Sequence, residues 1–129
     1  MNEAAIRAQI VETCRRLYAR NMLAAGDGNV SVRLNDERIL ITPSGRPKAF
    51  VGPEEICAIN LQGDVLEGAP SGERLMHLEI YRQCPKAQVV IHAHPPHAIA
   101  WSAAKPDLGE LPSDRLSEVI LAEIGRAHV

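Results

Sequence analysis

Two histidines one residue apart, His92 and His94, close the run Val89-Val90-Ile91-His92-Ala93-His94-Pro95-Pro96. Neutral imidazole is the commonest protein ligand for a zinc-type metal. Val89, Val90 and Ile91 are β-branched and predict a buried strand. Alternate side chains of a strand share a face, so His92 and His94 are expected to project side by side while Ala93 points away. Pro95 has no N–H to donate and Pro96 restricts the residue before it, so the strand should stop there. Two imidazoles on the end of a rigid element are how a metal site begins, although an isolated H-x-H also decorates solvated strand ends. A catalytic zinc commonly takes three protein ligands and keeps one position for water or substrate. His77, His97 and His128 are the candidates for a third. His77 lies in a helix four residues after Glu73, where a partly buried helix histidine is the plainer reading. His97 follows the prolines, and His128 is close to the chain end, where fraying argues against a well-held ligand.

Glu73 follows Pro70-Ser71-Gly72 at the start of a helix. A glutamate there is ordinary on dipole grounds. Beside a metal, the same carboxylate is the natural general base for a proton next to a carbonyl. Three small-residue loops, Gly28-Asn29, Ser44-Gly45 and Ser71-Gly72, are able to offer backbone N–H groups to an anion, and the last also opens a helix.

The elements that position these residues follow from periodicity. Ile6, Ile10, Cys14 and Leu17 recur at helical spacing with Arg7, Glu12 and Arg15-Arg16 opposite, so an amphipathic helix opens the chain and ends near Asn21. After the glycine-rich break at Gly26-Asp27-Gly28, Val30, Val32 and Leu34 alternate with polar residues. Asn35-Asp36-Glu37 turns this strand back into Ile39-Leu40-Ile41-Thr42, a hairpin. Pro43 to Pro47 is loop. Ile56 to Leu61 reads as a strand, returning through Gln62-Gly63-Asp64 into Val65-Leu66. A helix is expected from Glu73 to Gln83, with Leu75, Leu78 and Tyr81-Arg82 on successive turns and Cys84-Pro85 ending it. Another starts at Pro96, and a last one is capped by Ser113 or Asp114. Interleaved helices and strands give an α/β class with a mixed sheet covered by helices.

Composition excludes several roles. The 129 residues support one domain, and a net charge of −2 gives no electrostatic footprint for nucleic acid or an anionic membrane. One tryptophan, two tyrosines and one phenylalanine build no base-stacking platform. Cys14, Cys57 and Cys84 are widely spaced and are expected to be reduced, packed thiols of a cytoplasmic protein. The N-terminus lacks a signal-peptide pattern and no run approaches a membrane span. The chain stops at Ala127-His128-Val129, which looks like a strand beginning, so the expectation is a C-terminally truncated form.

Taken in order, Gly28-Asn29-Val30-Ser31, Ile41-Thr42-Pro43-Ser44-Gly45, Pro70-Ser71-Gly72-Glu73, Met76-His77-Leu78-Glu79-Ile80-Tyr81 and Val90-Ile91-His92-Ala93-His94-Pro95-Pro96 resemble the class II aldolase/adducin family over almost the whole chain. The resemblance implies a three-layer α/β/α sandwich with a mixed, largely antiparallel sheet spanning residues 1–129. It implies Zn2+ or another divalent transition metal on His92 and His94, and Glu73 as catalytic acid/base. Gly28, Asn29, Ser44, Gly45, Ser71 and Gly72 would bind the substrate phosphate. The implied reaction is metal-dependent cleavage of a ketose 1-phosphate, such as a fuculose phosphate-like sugar, to dihydroxyacetone phosphate and an aldehyde, by a cytoplasmic homotetramer.

Two departures stand out. Family members close the metal site with a third histidine well downstream of H-x-H and bring a C-terminal tyrosine to a subunit interface; this chain lacks both segments. Gly72 also replaces a common serine, which removes a hydroxyl but keeps the N–H. Within the family, epimerases tend to carry aspartate where Glu73 stands, which tilts the reading toward an aldolase; dehydratase and decarboxylase chemistries stay open. A JAMM-type isopeptidase reading fails because Lys105 occupies the position of the aspartate ligand, and a cation cannot ligate zinc. A non-catalytic adducin-like interaction module would have no use for Glu73 and both histidines.

Overall fold

Asn2 starts the fold by accepting the Ala5 N–H on its side chain at 2.8 Å, capping helix α1 (Glu3–Ala19). The structure, a computed structural model, describes residues 2–104. These fall into two units, Met1–Ala93 and a second that begins at His94. In the first, α1 is followed by strands β1 (Asn29–Asn35), β2 (Arg38–Ile41), β3 (Cys57–Ile59) and β4 (Val65–Glu67), helix α2 (Arg74–Gln83) and strand β5 (Val89–His92). In the second, helix α3 (Pro96–Ala104) starts on a proline, and the Ile99 N–H bonds to the Pro95 carbonyl at 3.0 Å.

The sheet order is β4-β3-β2-β1-β5. Every pairing among the described strands is antiparallel, where a mixed sheet was expected. Alternation divides the core between two faces. Leu40, Val30 and Ala58 pack with Ile10, Val11 and Cys14 of α1. Ile39, Ile41 and Ile59 pack with Leu78 and Tyr81 of α2. Residues of α1 thus pack with one set of strand side chains and residues of α2 with the other.

Several expectations need correction. Val89-Val90-Ile91 is not a buried run: Val89 and Ile91 are exposed, while Val90 and His92 are buried. β5 ends the sheet among the described strands, and among the described residues only the face that carries Val90 and His92 is covered. The strand also ends at His92, two residues earlier than expected, so His94 lies beyond it. In α2 the buried stripe is His77, Leu78 and Tyr81, and Leu75 faces solvent at 65% exposure. Cys14 and Cys57 are packed as expected, but Cys84, just past the end of α2, is exposed. Burial pushes the Cys14 thiol up to about 11, so it stays protonated and inert near neutrality. The helix expected from Ser113 or Asp114 lies outside the described residues.

Four charged side chains tie α1 to the far strands. Arg7 and Arg38 each bridge Glu3 and Glu67, with N–O distances of 2.8 to 2.9 Å. Arg38, then Arg7, hold the Glu3 carboxyl down at about 2, and the same two guanidiniums lower Glu67. A carboxyl depressed in the folded state adds stability that is fully present above the ordinary glutamate range and is lost as pH falls toward the folded value. The melting temperature is therefore expected to drop steeply between about pH 4.5 and 2.5, with a shallower drop in Glu3→Gln. Calorimetric melts across that range check it, and parallel pH slopes would refute the linkage.

Candidate active site

The site is built where β1, β5 and the start of α2 meet. In the β1/β5 register Asn29 stands opposite His92 and Ser31 opposite Val90. Asn29 and Ser31, two residues apart, share the face that α2 covers. Glu73, His77 and Tyr81 are spaced by four, so they line one stripe of α2 and its N-terminal cap. Two residues of strand and one helical turn advance by similar lengths, roughly 6 to 7 Å. The two rows interlock. Asn29 Nδ2 donates to Glu73 Oε2 at 2.7 Å. The other end of the same amide, Oδ1, meets His77 Nε2. His77 Nδ1 lies 2.7 Å from Ser31 Oγ, which lies 2.8 Å from the Tyr81 hydroxyl. His92 Nδ1 is 2.7 Å from Glu73 Oε2.

Glu73 occupies the N-cap position of α2 without capping it. Ser71 takes that task, its Oγ accepting the Glu73 N–H at 3.2 Å. The carboxylate is thereby released from the helix end and gripped on Oε2 by Asn29 and His92, while the side chain keeps 43% of its exposure. It is held by Asn29 and His92 and still partly exposed. That is the geometry a general acid/base needs.

The same contact sets the tautomer of a neutral His92 ring. A carboxylate only accepts, so Nδ1 carries the proton and the lone pair of the neutral ring sits on Nε2. The residues of this unit thus fit a divalent metal through one imidazole whose tautomer is already fixed. His94 opens the second unit, and its place beside His92 rests on the H-x-H spacing alone. Among the described residues no group of three or more His, Cys, Asp or Glu gathers around a common point. His77 drops out as a third ligand because both its ring nitrogens are engaged inside the core. His97 is exposed on α3, and His128 lies outside the described residues.

The three small-residue loops are organised differently from one another. The Ser44 amide bonds the Ala69 carbonyl at 2.9 Å and the Ser71 amide bonds the Thr42 carbonyl at 3.1 Å, with Pro43 and Pro70 bridged between them. These two amides zip the loops together. Gly45 and Gly72 look outward: a Cβ on either would meet nothing within 4 Å. Gly28, with φ of +80°, is packed against Leu23 and the His92 carbonyl. The Asn29 side chain is given to Glu73 and His77, and Ser71 Oγ to the Glu73 amide.

Sequence reasoning did not single out Ser31, Tyr81 or Lys48 as site residues. The Glu73-His77-Tyr81 spacing was the available signal for the first two, since three polar positions at helical period next to Leu78 imply a polar stripe turned inward. Lys48 carried no such signal. It is buried, and its Nζ donates to the Gly26 and Arg46 carbonyls, both at 2.9 Å, which pins the turn leading into Gly28. Burial lowers its pKa, and the Asp27 and Glu73 carboxylates oppose that. Tyr81 is pushed up, chiefly by burial.

Comparisons with known proteins show what this fold and sequence are similar to. The L-fuculose phosphate aldolase of Methanococcus vannielii is 35% identical over 117 residues, 91% of this chain and 63% of that protein. A methylthioribulose-1-phosphate dehydratase of Methylococcus capsulatus is 43% identical over 90 residues, 69% of this chain and 44% of that one. The crystal structure of an L-fuculose-1-phosphate aldolase from Thermus thermophilus superposes with a TM-score of 0.66 at 38% identity, covering 74% of this chain and 49% of that one. The chain thus spans about half to two thirds of the length of the proteins it matches. Residues 8–126 match the profile of the class II aldolase and adducin N-terminal domain, and with it come the ordered motifs, the antiparallel sheet and the carboxylate set against His92: the chain belongs to that family.

Proposed function

We propose that this chain carries the catalytic scaffold of a metal-dependent lyase that cleaves a ketose 1-phosphate to dihydroxyacetone phosphate and an aldehyde. The observation that carries the reading is the Glu73 carboxylate, freed from helix capping and held on one oxygen by Asn29 and His92. His92 and His94 would hold a zinc-type divalent ion, and Gly28, Asn29, Ser44, Gly45, Ser71 and Gly72 would frame the phosphate, with Gly45 and Gly72 offering the most open approach. When bound, the metal supplies Lewis acidity to the substrate carbonyl. In the cleavage direction the carbinol hydroxyl gives up its proton to solvent as the bond between the carbinol carbon and the carbon next to the carbonyl breaks, and the bonding electrons pass into the carbonyl group. Glu73, having taken a proton from solvent, delivers it to the carbon next to the carbonyl; in the synthetic direction the Glu73 carboxylate removes that proton. The grip of Asn29 and His92 keeps the carboxylate aimed through both transfers. The 35% identity to an L-fuculose phosphate aldolase supports a deoxyketose phosphate of that kind. The reading extends to a cytoplasmic homotetramer without nucleic-acid or membrane partners; no described helix is long and apolar enough to cross a membrane.

A second reading is favoured by the 43% identity to a dehydratase. The same Glu73 would take the same proton, and the substrate would lose a hydroxyl instead of breaking a carbon–carbon bond. One experiment separates the two. The chain and a C-terminally extended form, loaded with Zn2+, are incubated with a panel of ketose 1-phosphates and followed by phosphorus NMR and by enzymatic reduction of dihydroxyacetone phosphate. Cleavage supports the aldolase and water loss supports the dehydratase. Metal content should fall from stoichiometric to trace in His92→Ala and His94→Ala. Unchanged metal content in both variants would refute the metal assignment.

A further inference from the structure

Glu73, Asn29, His77, Ser31 and Tyr81 form an unbroken row of hydrogen bonds from the solvent-facing carboxylate into the core. His77, Ser31 and Tyr81 have no exposed surface and Asn29 keeps 4%. Water cannot easily replace any member, so each donor and acceptor must be matched within the row.

The matching fixes one direction. A carboxylate only accepts, so the Asn29 NH2 must face Glu73 and its Oδ1 must face His77. An oxygen there requires an N–H on His77 Nε2. A neutral ring then has its lone pair on Nδ1, which takes the Ser31 hydroxyl proton. Ser31 Oγ in turn takes the proton of Tyr81. Reverse the His77 tautomer and Nε2 becomes an acceptor. The Asn29 amide would then turn over, placing its oxygen against the Glu73 carboxylate.

We propose that His77 is a positioning residue: with its proton on Nε2 it orients the Asn29 amide, and through that amide it holds Glu73 in place. Ser31 and Tyr81 set the tautomer. The inference rests on the reading of Glu73 as the acid/base, but its geometry does not depend on which reaction Glu73 serves. A merely structural row would satisfy buried groups without controlling anything at Glu73 or His92. Here, because Oε2 is shared by Asn29 and His92, loosening the amide must also be felt by the His92 ring.

The test is nitrogen NMR of the metal-free, 15N-labelled full chain, using two-bond proton–nitrogen spectra that separate imidazole tautomers. In the wild type, His77 is expected to be neutral with its proton on Nε2, and His92 with its proton on Nδ1. Ser31→Ala removes the donor to His77 Nδ1; the opposite His77 tautomer should appear and the His92 ring signals should shift, although Ser31 touches neither Glu73 nor His92. Ser31→Thr keeps the hydroxyl and should restore both patterns. A wild-type His77 protonated on Nδ1 overturns the proposal, and so does a His92 ring unmoved by Ser31→Ala. If Ser31→Ala does not fold, the wild-type tautomer decides. In an active form, Ser31→Ala should lower kcat about 10-fold with KM changed less than about 2-fold, the scale of losing a supporting contact behind a catalytic group. Should the wild type cleave no ketose phosphate, the lyase reading fails while the spectra still decide the proposal.

Discussion

Replacing Glu73 with glutamine is expected to lower turnover by about 10^2 to 10^4, the range that a positioned acid/base contributes, while leaving the fold and metal content unchanged. The amide oxygen of glutamine can still accept from Asn29 Nδ2 and His92 Nδ1, so the grip on the side chain survives. What disappears is basicity. The sensitive measurement is exchange of the dihydroxyacetone phosphate α-proton with deuterated water, because it reports proton removal without requiring an aldehyde partner. Exchange at the wild-type rate in Glu73→Gln would remove Glu73 from the chemistry whatever the overall turnover does. Glu73→Asp offers a second check. It retains the charge but withdraws the carboxylate by about 1.5 Å, one carbon–carbon bond, from partners held at 2.7 Å. Its loss should fall between those of the wild type and glutamine, and it should weaken the bond that sets the His92 tautomer.

The helices and hairpins that carry this site were legible because their signals are local. The alternation of Val30, Val32 and Leu34, the Asn35-Asp36-Glu37 turn and the helical period of Ile6, Ile10 and Cys14 each name an element within a few residues. Glu73 and His92 were legible as chemistry, but not as partners, since 19 residues and a β1 register lie between them. His77 was harder. As a helix residue it reads as a half-buried histidine, and only the pairing of the Asn29 and Ser31 row with the Glu73, His77 and Tyr81 stripe shows that both its nitrogens are spent. The misreadings have a common cause. Val89-Val90-Ile91 looks like a two-sided core strand because an apolar run does not reveal whether one face or both will be covered, and among the described residues one is. The end of β5 at His92, before the prolines instead of at them, likewise depends on where β1 stops offering partners, and Asn29 is its first residue.

That dependence singles out Gly28, the residue just before β1, as the position where one methyl group should do most damage. Its φ is +80°, a conformation that costs an L-residue roughly 1 to 2 kcal/mol. A Cβ there would lie 2.2 Å from Leu23 Cδ2 and 2.9 Å from the His92 carbonyl oxygen. Leu23 can turn aside at some cost in packing. The carbonyl cannot, because it belongs to the backbone of the residue paired with Asn29. Strain and overlap together should destabilise Gly28→Ala by about 2 to 5 kcal/mol. Two glycines of the neighbouring loops supply the controls. Gly45 has φ of +69° but open space around it, so alanine there should cost only the conformational term, about 1 kcal/mol. Gly72 has neither constraint, and Gly72→Ala should leave stability nearly unchanged. Urea unfolding of the three variants checks the order. The same order should hold for metal affinity, since moving the His92 backbone pulls its ring away from Glu73, whereas a methyl group on Gly45 or Gly72 meets nothing within 4 Å and leaves that contact in place. Equal losses at all three positions would mean that the approach of Gly28 to the His92 carbonyl does not set the site.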